Sequence, residues 1–401
     1  MLLLLSKLEE LKYITLGRGN IISKDEMNVY PGDYPVYSSS AQKNGELGKY
    51  GKYMFDDERI TWSIDGGGRL FYRNAHKYSV TNVCGWLKVN TNKLLTKYVY
   101  YCLIFQWKYL KFDYTYKAQP SVIKKIYKIP MISIKEQLQI IKTIDRINLI
   151  IANDEKSIFL LNEFIKSRFI EMFGNPIDNP HNFELNYLSN LGYLSRGKSK
   201  HRPRNDPKLL GGTYPLIQTG DVKQADLYIS HYESTYSEFG LNQSKLWPKG
   251  TLCITIAANI AETAILKFDA CFPDSVVGFI ANEKVNTIFI RYQIEALKEF
   301  LNSKATEVAQ KNLNIEKLES VQFMTPEINL QNEFASFVEQ VDKLKFVIHS
   351  RYFLCEILTL FSSTIAYSRV VSILACPNIF CTCSIGIPLS MAFVANVLLN
   401  L

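Results

Sequence analysis

The sequence predicts an α+β chain in which one domain is copied in tandem and each copy is followed by a long helix. Three observations predict it: an internal repeat with a period of about 190 residues, short strand-like apolar runs kept in the same order in both halves, and a stretch near residue 140 with neither proline nor glycine. Tyr34-Pro35-Val36 answers Tyr214-Pro215-Leu216, Arg59 to Ile64 answers Leu252 to Ile256, and Val83 to Leu87 answers Val276 to Ile280. Ala118-Gln119 then answers Ala309-Gln310. Pro130, followed by Ile134, Glu136 and Gln137, answers Pro326, followed by Leu330, Gln331 and Glu333. Within each half, β-branched and aromatic runs broken by Gly, Asn and Asp lead to one helical stretch and a proline, the pattern of a compact α+β domain.

From Ile134 to Phe173 the pattern changes period, and about 40 residues of unbroken helix would span roughly 60 Å. Apolar residues recur every seventh position at Ile144, Ile151, Ile158, Ile165 and Met172, with Lys142, Asp145, Asp154, Glu155 and Lys156 on other faces. A seven-residue repeat needs a partner helix. The neighbouring positions Asn148, Glu155 and Asn162 are polar, so an imperfect seam is expected. The helix ends at Gly174-Asn175-Pro176, a glycine stop and a proline that cannot continue it. A second helix begins at the matching place near Ile328.

Composition bounds the function. The chain has 401 residues with 46 Lys+Arg against 38 Asp+Glu, a net charge of +8, and 47% hydrophobic residues. That is enough apolar side chain for two or three domains, and it excludes disorder and collagen-like repeats. Cys84, Cys102, Cys253 and Cys271 are scattered, while Cys355, Cys376, Cys381 and Cys383 crowd the C-terminal end; neither Cys-x-x-Cys nor His-x-x-x-His occurs. No metal site is expected, and the scattered thiols suit core positions in a reducing cytoplasm. Lys7, Glu9, Glu10 and Lys12 interrupt the leucines of the start, which rules out a secretory signal.

Between Val370 and Leu401 there is no charge, and Ile379 to Leu401 is long enough to cross a bilayer. A membrane-tail-anchored paired-helix adaptor protein is therefore an alternative reading. Pro377, Gly386, Pro388 and Asn396, and the lack of a flanking lysine cluster, weigh against it.

Catalytic signatures are missing. Asn175-Pro176-Ile177 and Asn179-Pro180-His181 lack the second proline of an adenine methyltransferase motif, Gly66-Gly67-Gly68-Arg69 is not a phosphate cradle, and Pro273-Asp274 lacks the Glu-x-Lys of a metal-dependent nuclease. Asp56-Asp57-Glu58 reads as a solvated turn. No catalytic residue is expected, and the chain reads as a binder.

What the sequence offers is a basic loop: Arg196, Lys198, Ser199, Lys200, His201, Arg202 and Arg204, with Gly197 and Pro203 keeping it out of a helix. Lysines there act as point charges on phosphates, and arginine adds a bidentate contact to guanine O6 and N7. The first half carries its cations later, at Lys43, Lys49, Lys52, Arg69 and Arg73. From Tyr98 to Lys117 aromatics interleave with lysines, a spacing better explained by a half-buried helix with snorkelling lysines than by base stacking.

The duplicated plan, the Pro130-(x)5-Glu136-Gln137 lead-in to a long helix, the helix end Phe164 to Gly174, and the run Arg196 to Asp206 with Thr219-Gly220-Asp221 resemble the DNA-specificity subunits of type I restriction-modification systems. The likeness covers about residues 8 to 348. It implies two tandem similar α+β target-recognition domains separated by long helices that form an antiparallel coiled-coil spacer, each domain reading half of a bipartite double-stranded DNA site. It also implies Thr219 and Asp221 among the DNA-binding residues, docking of methyltransferase (modification) subunits on the helices, restriction/translocase subunits in the complex, and no catalytic centre in this chain. S-adenosylmethionine, ATP and Mg are then expected on the partner subunits. The expected boundaries are 1–132 for the first recognition domain, 133–178 for the first spacer helix, 179–327 for the second domain, 328–368 for the second helix and 369–401 for the apolar tail. After Lys345 the text departs from the family pattern, which leaves the pairing surface of the second helix open.

Overall fold

The computed structural model describes residues 1–40, 43–112, 116–257, 260–301 and 315–371, with residues 353–371 described through their helical backbone alone. The repeat element Ala309-Gln310, Tyr114, the cysteines Cys376, Cys381 and Cys383 and the apolar tail beyond 371 lie outside what is described, and of Cys355 only the helical backbone is. The chain divides into two compact units, one built on residues 1–151 and the other on 152–352.

In the first unit, strand β1 (Leu2–Leu4) is followed by β2 (Ile14–Arg18), β3 (Tyr34–Tyr37), β4 (Glu46–Tyr50), β5 (Arg59–Ser63), β6 (Leu70–Arg73), β7 (Ser79–Val80), β8 (Cys84–Val89) and β9 (Lys128–Pro130). They form an antiparallel sheet in the order β2-β8-β5-β6, a mixed sheet β4-β3-β7, and the pair β1-β9. The β5 run Arg59-Ile60-Thr61-Trp62-Ser63 is buried throughout, as a central strand covered on both faces must be. Its Trp62 donates Nε1 to the Ala118 carbonyl at 2.8 Å, so the indole fills the core without an orphaned N–H. Helix Thr96–Trp107 lays Tyr98, Val99 and Leu103 into that core. Its Lys97 reaches Asp145 at 2.7 Å, but the helix ends at Trp107, so the half-buried helix expected from Tyr98 to Lys117 forms only over its first half, and Lys108, Lys111 and Lys117 lie beyond it.

The second unit repeats the plan. Strands β10 (Leu185–Tyr187), β11 (Gly192–Arg196), β12 (Leu210–Leu216), β13 (Tyr228–Ile229), β14 (Ser234–Tyr236), β15 (Leu246–Trp247), β16 (Leu252–Thr255), β17 (Thr263–Leu266), β18 (Ala270–Cys271), β19 (Val276–Ala281) and β20 (Gln322–Met324) form sheets β11-β19-β16-β17-β13 and β14-β12-β18-β15 and the pair β10-β20. The two copies agree in register. Val36 of β3 meets β7 in parallel as Leu216 of β12 meets β18, and Tyr34 faces Tyr50 as Tyr214 faces Tyr236.

The long helices run Ile134–Phe173 and Ile328–Val371. Ser133 caps the first: Glu136 N donates to its Oγ at 3.3 Å while the Glu136 carboxylate accepts from Ser133 N at 3.0 Å, a reciprocal capping box. One turn in, buried Gln137 donates Nε2 to the Lys93 and Ile132 carbonyls and accepts from Leu95 N. Gln331 does the same with Lys284 O, Pro326 O and Asn286 N. The structural partners are thus Gln137 with Gln331 and Ile134 with Ile328, both 194 apart. Pro130 and Pro326, 196 apart, are not equivalent. The first helix stops at Gly174, whose φ of +74° suits glycine and whose N–H closes on the Ile170 carbonyl.

Within the second unit the two helices pair antiparallel. Phe173 and Phe169 pack on Phe334, Arg168 reaches Glu333, Phe164 meets Phe337 at 5.2 Å, and Arg351 grips Asp154 through both guanidinium edges. As numbers fall on one helix they rise on the other, and the pairing runs past Lys345 as far as Arg351. Of the heptad residues, Ile144 and Ile165 are buried, Ile151 and Ile158 half-buried, and Met172 packs against the core. The polar positions differ from expectation: Asn148 and Glu155 are exposed, while Asp154, assigned by sequence to an outer face, has a fully buried side chain in the seam. Asp154 stands three residues after Ile151 and four before Ile158, so helical geometry puts it on their face, as it puts buried Ile147 beside Ile144.

Candidate nucleic-acid interface

The basic loop leaves the sheet at the end of β11, where Gly197 N still bonds the Val276 carbonyl at 2.9 Å. Main-chain contacts then hold it. Lys200 N and His201 N donate to Gln243 Oε1 at 2.7 and 3.1 Å, and Ser244 Oγ donates to the Lys198 carbonyl at 2.9 Å. Arg202 Nη1 donates to the Ser199 and His201 carbonyls, His201 Nε2 lies 2.8 Å from Asp206, and Arg204 pairs with Asp274 at 2.6 Å. Asp206 also caps a short 3-10 turn; the Lys208 N–H, followed by His201, holds its carboxyl below the usual range.

This division of labour decides what the loop can do. Arg196, Lys198 and Lys200 are exposed and have no carboxylate partner among the described residues, so a rigid main chain presents three uncompensated cations. Arg202 is exposed but committed to its own loop. Arg204 is paired with Asp274, and His201 is hydrogen-bonded to Asp206. Ser199, a candidate contact by sequence, is buried at 7% exposure and belongs to the loop's interior. Asp221 is likewise structural: its carboxylate accepts from Gln218 N at 2.7 Å and, with the Gln218 side chain, caps helix Thr219–Gln224. Thr219 is the half-buried first residue of that helix.

In the first unit Lys43, Lys49 and Arg69 are exposed, Lys49 lying 3.5 Å from Glu46. Arg73 overturns expectation. It is 2% exposed, donates Nε to Thr61 Oγ1 and Nη2 to the Asn44 carbonyl, and stacks 3.5 Å above Tyr37; burial lowers its pKa. An arginine on β6 facing a small polar pocket is a core residue, and no phosphate reaches it. Asp56-Asp57-Glu58 is not simply solvated either. Asp57 takes Arg59 and Lys88, each at 2.6 Å, and although burial raises its pKa these cations pull it below the usual carboxylate range. Glu58 accepts from Tyr72.

Two clusters escaped sequence reading. Lys245 Nζ contacts Tyr193 Oη at 3.0 Å and lies 3.7 Å over the Trp247 ring; its hydrogen bond lowers the Tyr193 pKa. In the first unit Lys52 lies 3.3 Å over Tyr30, and Lys77 lies 4.8 Å from the Tyr53 ring centre, with Tyr34 edge-on to Tyr53. Of these only Lys52 stood out in the sequence; the rest are joined across strands, where spacing carries no signal.

Among the described residues no acidic or thiol cluster could hold a metal ion. Cys84 is buried, which pushes its thiol to about 12, the state of an inert core residue. No helix among them is long and apolar enough to cross a membrane, and the segment 379–401 lies outside them.

A duplicated α+β scaffold joined to paired long helices, with an exposed basic loop in its second copy, defines a class of modular, tandem-domain protein. More narrowly, the chain belongs to the type I restriction modification DNA specificity domain family, which matches residues 5–161 and 180–351. The Mycoplasma pneumoniae protein named as type I specificity subunit S.MpnORF507P is 25% identical over 344 residues, 83% of this chain and 87% of that one. Another from the same organism, S.MpnORF289P N-terminus, is 43% identical over 90 residues, 22% of this chain; the alignment spans about half, 48%, of that relative. In fold, the chain is similar to the crystal structure of a type I restriction-modification S subunit from M. genitalium, with a TM-score of 0.59, 12% identity, and coverage of 91% of this chain and 95% of that one.

Proposed function

We propose that this chain is the non-catalytic, sequence-reading subunit of a type I restriction-modification complex, binding duplex DNA with each recognition repeat reading one half of a bipartite site. The observation that carries the reading is the duplication itself. Both units build a matching pair of sheets, the second with one further strand in each, and each hands over to a long helix through the same buried glutamine. One unit of fixed design used twice suits two half-sites, and helix length then sets their separation. Arg196, Lys198 and Lys200 serve as phosphate contacts of the second repeat, and Lys43, Lys49 and Arg69 serve the first.

Methyltransferase subunits dock on the paired helices. The exposure there of Phe159 (62%) and Phe346 (72%) supports this, since apolar side chains so open to water mark partner surfaces better than free faces. S-adenosylmethionine, ATP and Mg belong to those subunits and to the restriction/translocase subunits, and the complex works in the cytoplasm. The test is to map methylated adenines in cells carrying this chain with its methyltransferase, then exchange residues 179–327 for those of a relative. One half of the methylated motif should change. A motif that changes in both halves, or in neither, refutes the assignment.

A further inference from the structure

The two repeats can be superposed residue by residue around their central strands. Gly32 and Gly212 each stand two residues before the tyrosine that opens the match, and each approaches the opposite chain so closely that a Cβ would lie 2.5 Å from the Cα of Gly51 and of Ser237 respectively. Gly51 and Ser237 are therefore the same point of the fold. Beyond it the copies part: residues 51–53 adopt no regular structure, whereas Ser237 caps helix Glu238–Asn242 through its Oγ. Two residues on, both nonetheless expose a ring, Tyr53 at 44% and Phe239 at 50%. A single exposed ring needs no explanation. A ring opened to solvent two residues past the same point in both copies, on different local backbones, does.

Both rings stand beside basic segments. Tyr53 has Lys77 at 4.8 Å and, beside it in the chain, Lys52 over Tyr30. Phe239 meets His201 edge-on at 5.5 Å, within the loop that carries the exposed Lys198 and Lys200. An apolar ring beside such a segment matches a surface in which charged phosphates flank apolar base edges. We propose that Tyr53 and Phe239 are equivalent base-contacting residues, one per repeat, each setting the specificity of its own half-site while the surrounding cations hold phosphates. Phe239 has no hydrogen-bonding group, so the shared contact is apolar: ring against thymine methyl or base face in the groove. This rests on the duplex-reading function proposed above.

The experiment uses the full chain with its methyltransferase subunit and compares Tyr53→Ala, Phe239→Ala and Tyr53→Phe. Affinity is measured on duplexes carrying the methylated motif and on scrambled duplexes, alongside mapping of methylated adenines. Each alanine variant should weaken cognate binding about 10- to 100-fold, the range of one lost base contact. Each should also relax a different half of the motif, with scrambled-duplex affinity and thermal unfolding unchanged, while Tyr53→Phe keeps the parent's motif. Unchanged cognate affinity and intact half-motifs in both alanine variants, with the 179–327 exchange still altering one half, would overturn this assignment and leave the duplex-reading function standing. Failure of the exchange as well would remove both.

Discussion

Replacing Gln331 by alanine strips three main-chain groups of their partner. Gln331 is wholly buried; its Nε2 reaches Pro326 O at 2.7 Å and Lys284 O at 3.1 Å, and its Oε1 accepts from Asn286 N at 2.9 Å. An orphaned buried polar group costs about 1–3 kcal/mol. Pro326 is buried and Asn286 half-buried, whereas Lys284 is exposed, so water can replace the amide at that carbonyl. Counting the first two near the low end and the third at a fraction gives about 3 kcal/mol, or a drop of roughly 6–12 °C in melting for a unit of this size. Gln137 makes the same three bonds in the first unit, but to Lys93, Leu95 and Ile132, none of them fully buried, so Gln137→Ala should cost less, about 2 kcal/mol. Gln331→Glu separates donor from acceptor: a carboxylate still receives Asn286 N but repels both carbonyls, and should melt well below the parent at neutral pH. Calorimetry, with hydrogen exchange of Asn286 N–H as a local probe, reads all three variants. A shift below about 1 °C for Gln331→Ala, or parental stability for Gln331→Glu, would refute the argument that these glutamines anchor each helix to its recognition repeat.

Two further outcomes follow from the electrostatics. Asp342 has its pKa raised by burial first and by the neighbouring Asp226 second, against the lowering effect of Lys345, Lys267 and Arg291. A raised carboxyl binds its proton more tightly in the folded state, so stability is lost as pH climbs from 3.8 through the raised value. Asp342→Asn should therefore unfold at higher urea than the parent at pH 7, with the gain shrinking as pH falls toward 3.8, and equal midpoints at pH 7 would contradict it. For the cations, Lys198→Ala with Lys200→Ala should flatten the dependence of duplex affinity on salt by roughly 0.9 in log-log slope per lost phosphate contact, whereas Arg73→Ala should lower thermal stability and leave the slope alone. Fluorescence anisotropy across a salt series separates the two, and an unchanged slope in the double-lysine variant would remove the loop from the interface.

What the sequence determined by itself is what repeats locally. The copied strand runs, the period change at Ile134 and the Gly174 stop are all set by neighbours within a few residues; the helix and its stop are found where the pattern puts them, while the β8 and β19 runs match one residue out of the expected frame, since Gly19 N bonds Cys84 O as Gly197 N bonds Val276 O. The basic loop was legible for the same reason, since its cations are contiguous. Which of those cations remain free was not. Arg204 is neutralised by Asp274, 70 residues away, and Arg73 is drawn into the core by Thr61 and Asn44. Asp154 stays buried as a charge in the helix seam because Arg351, 197 residues on, arrives antiparallel to receive it. The match of Gly51 with Ser237, two residues before the exposed rings of Tyr53 and Phe239, emerges only from strand register, because the two copies differ in local backbone beyond it. Charge and exposure are properties of surroundings assembled from distant segments, so folding alone decides which of the legible residues can meet a ligand.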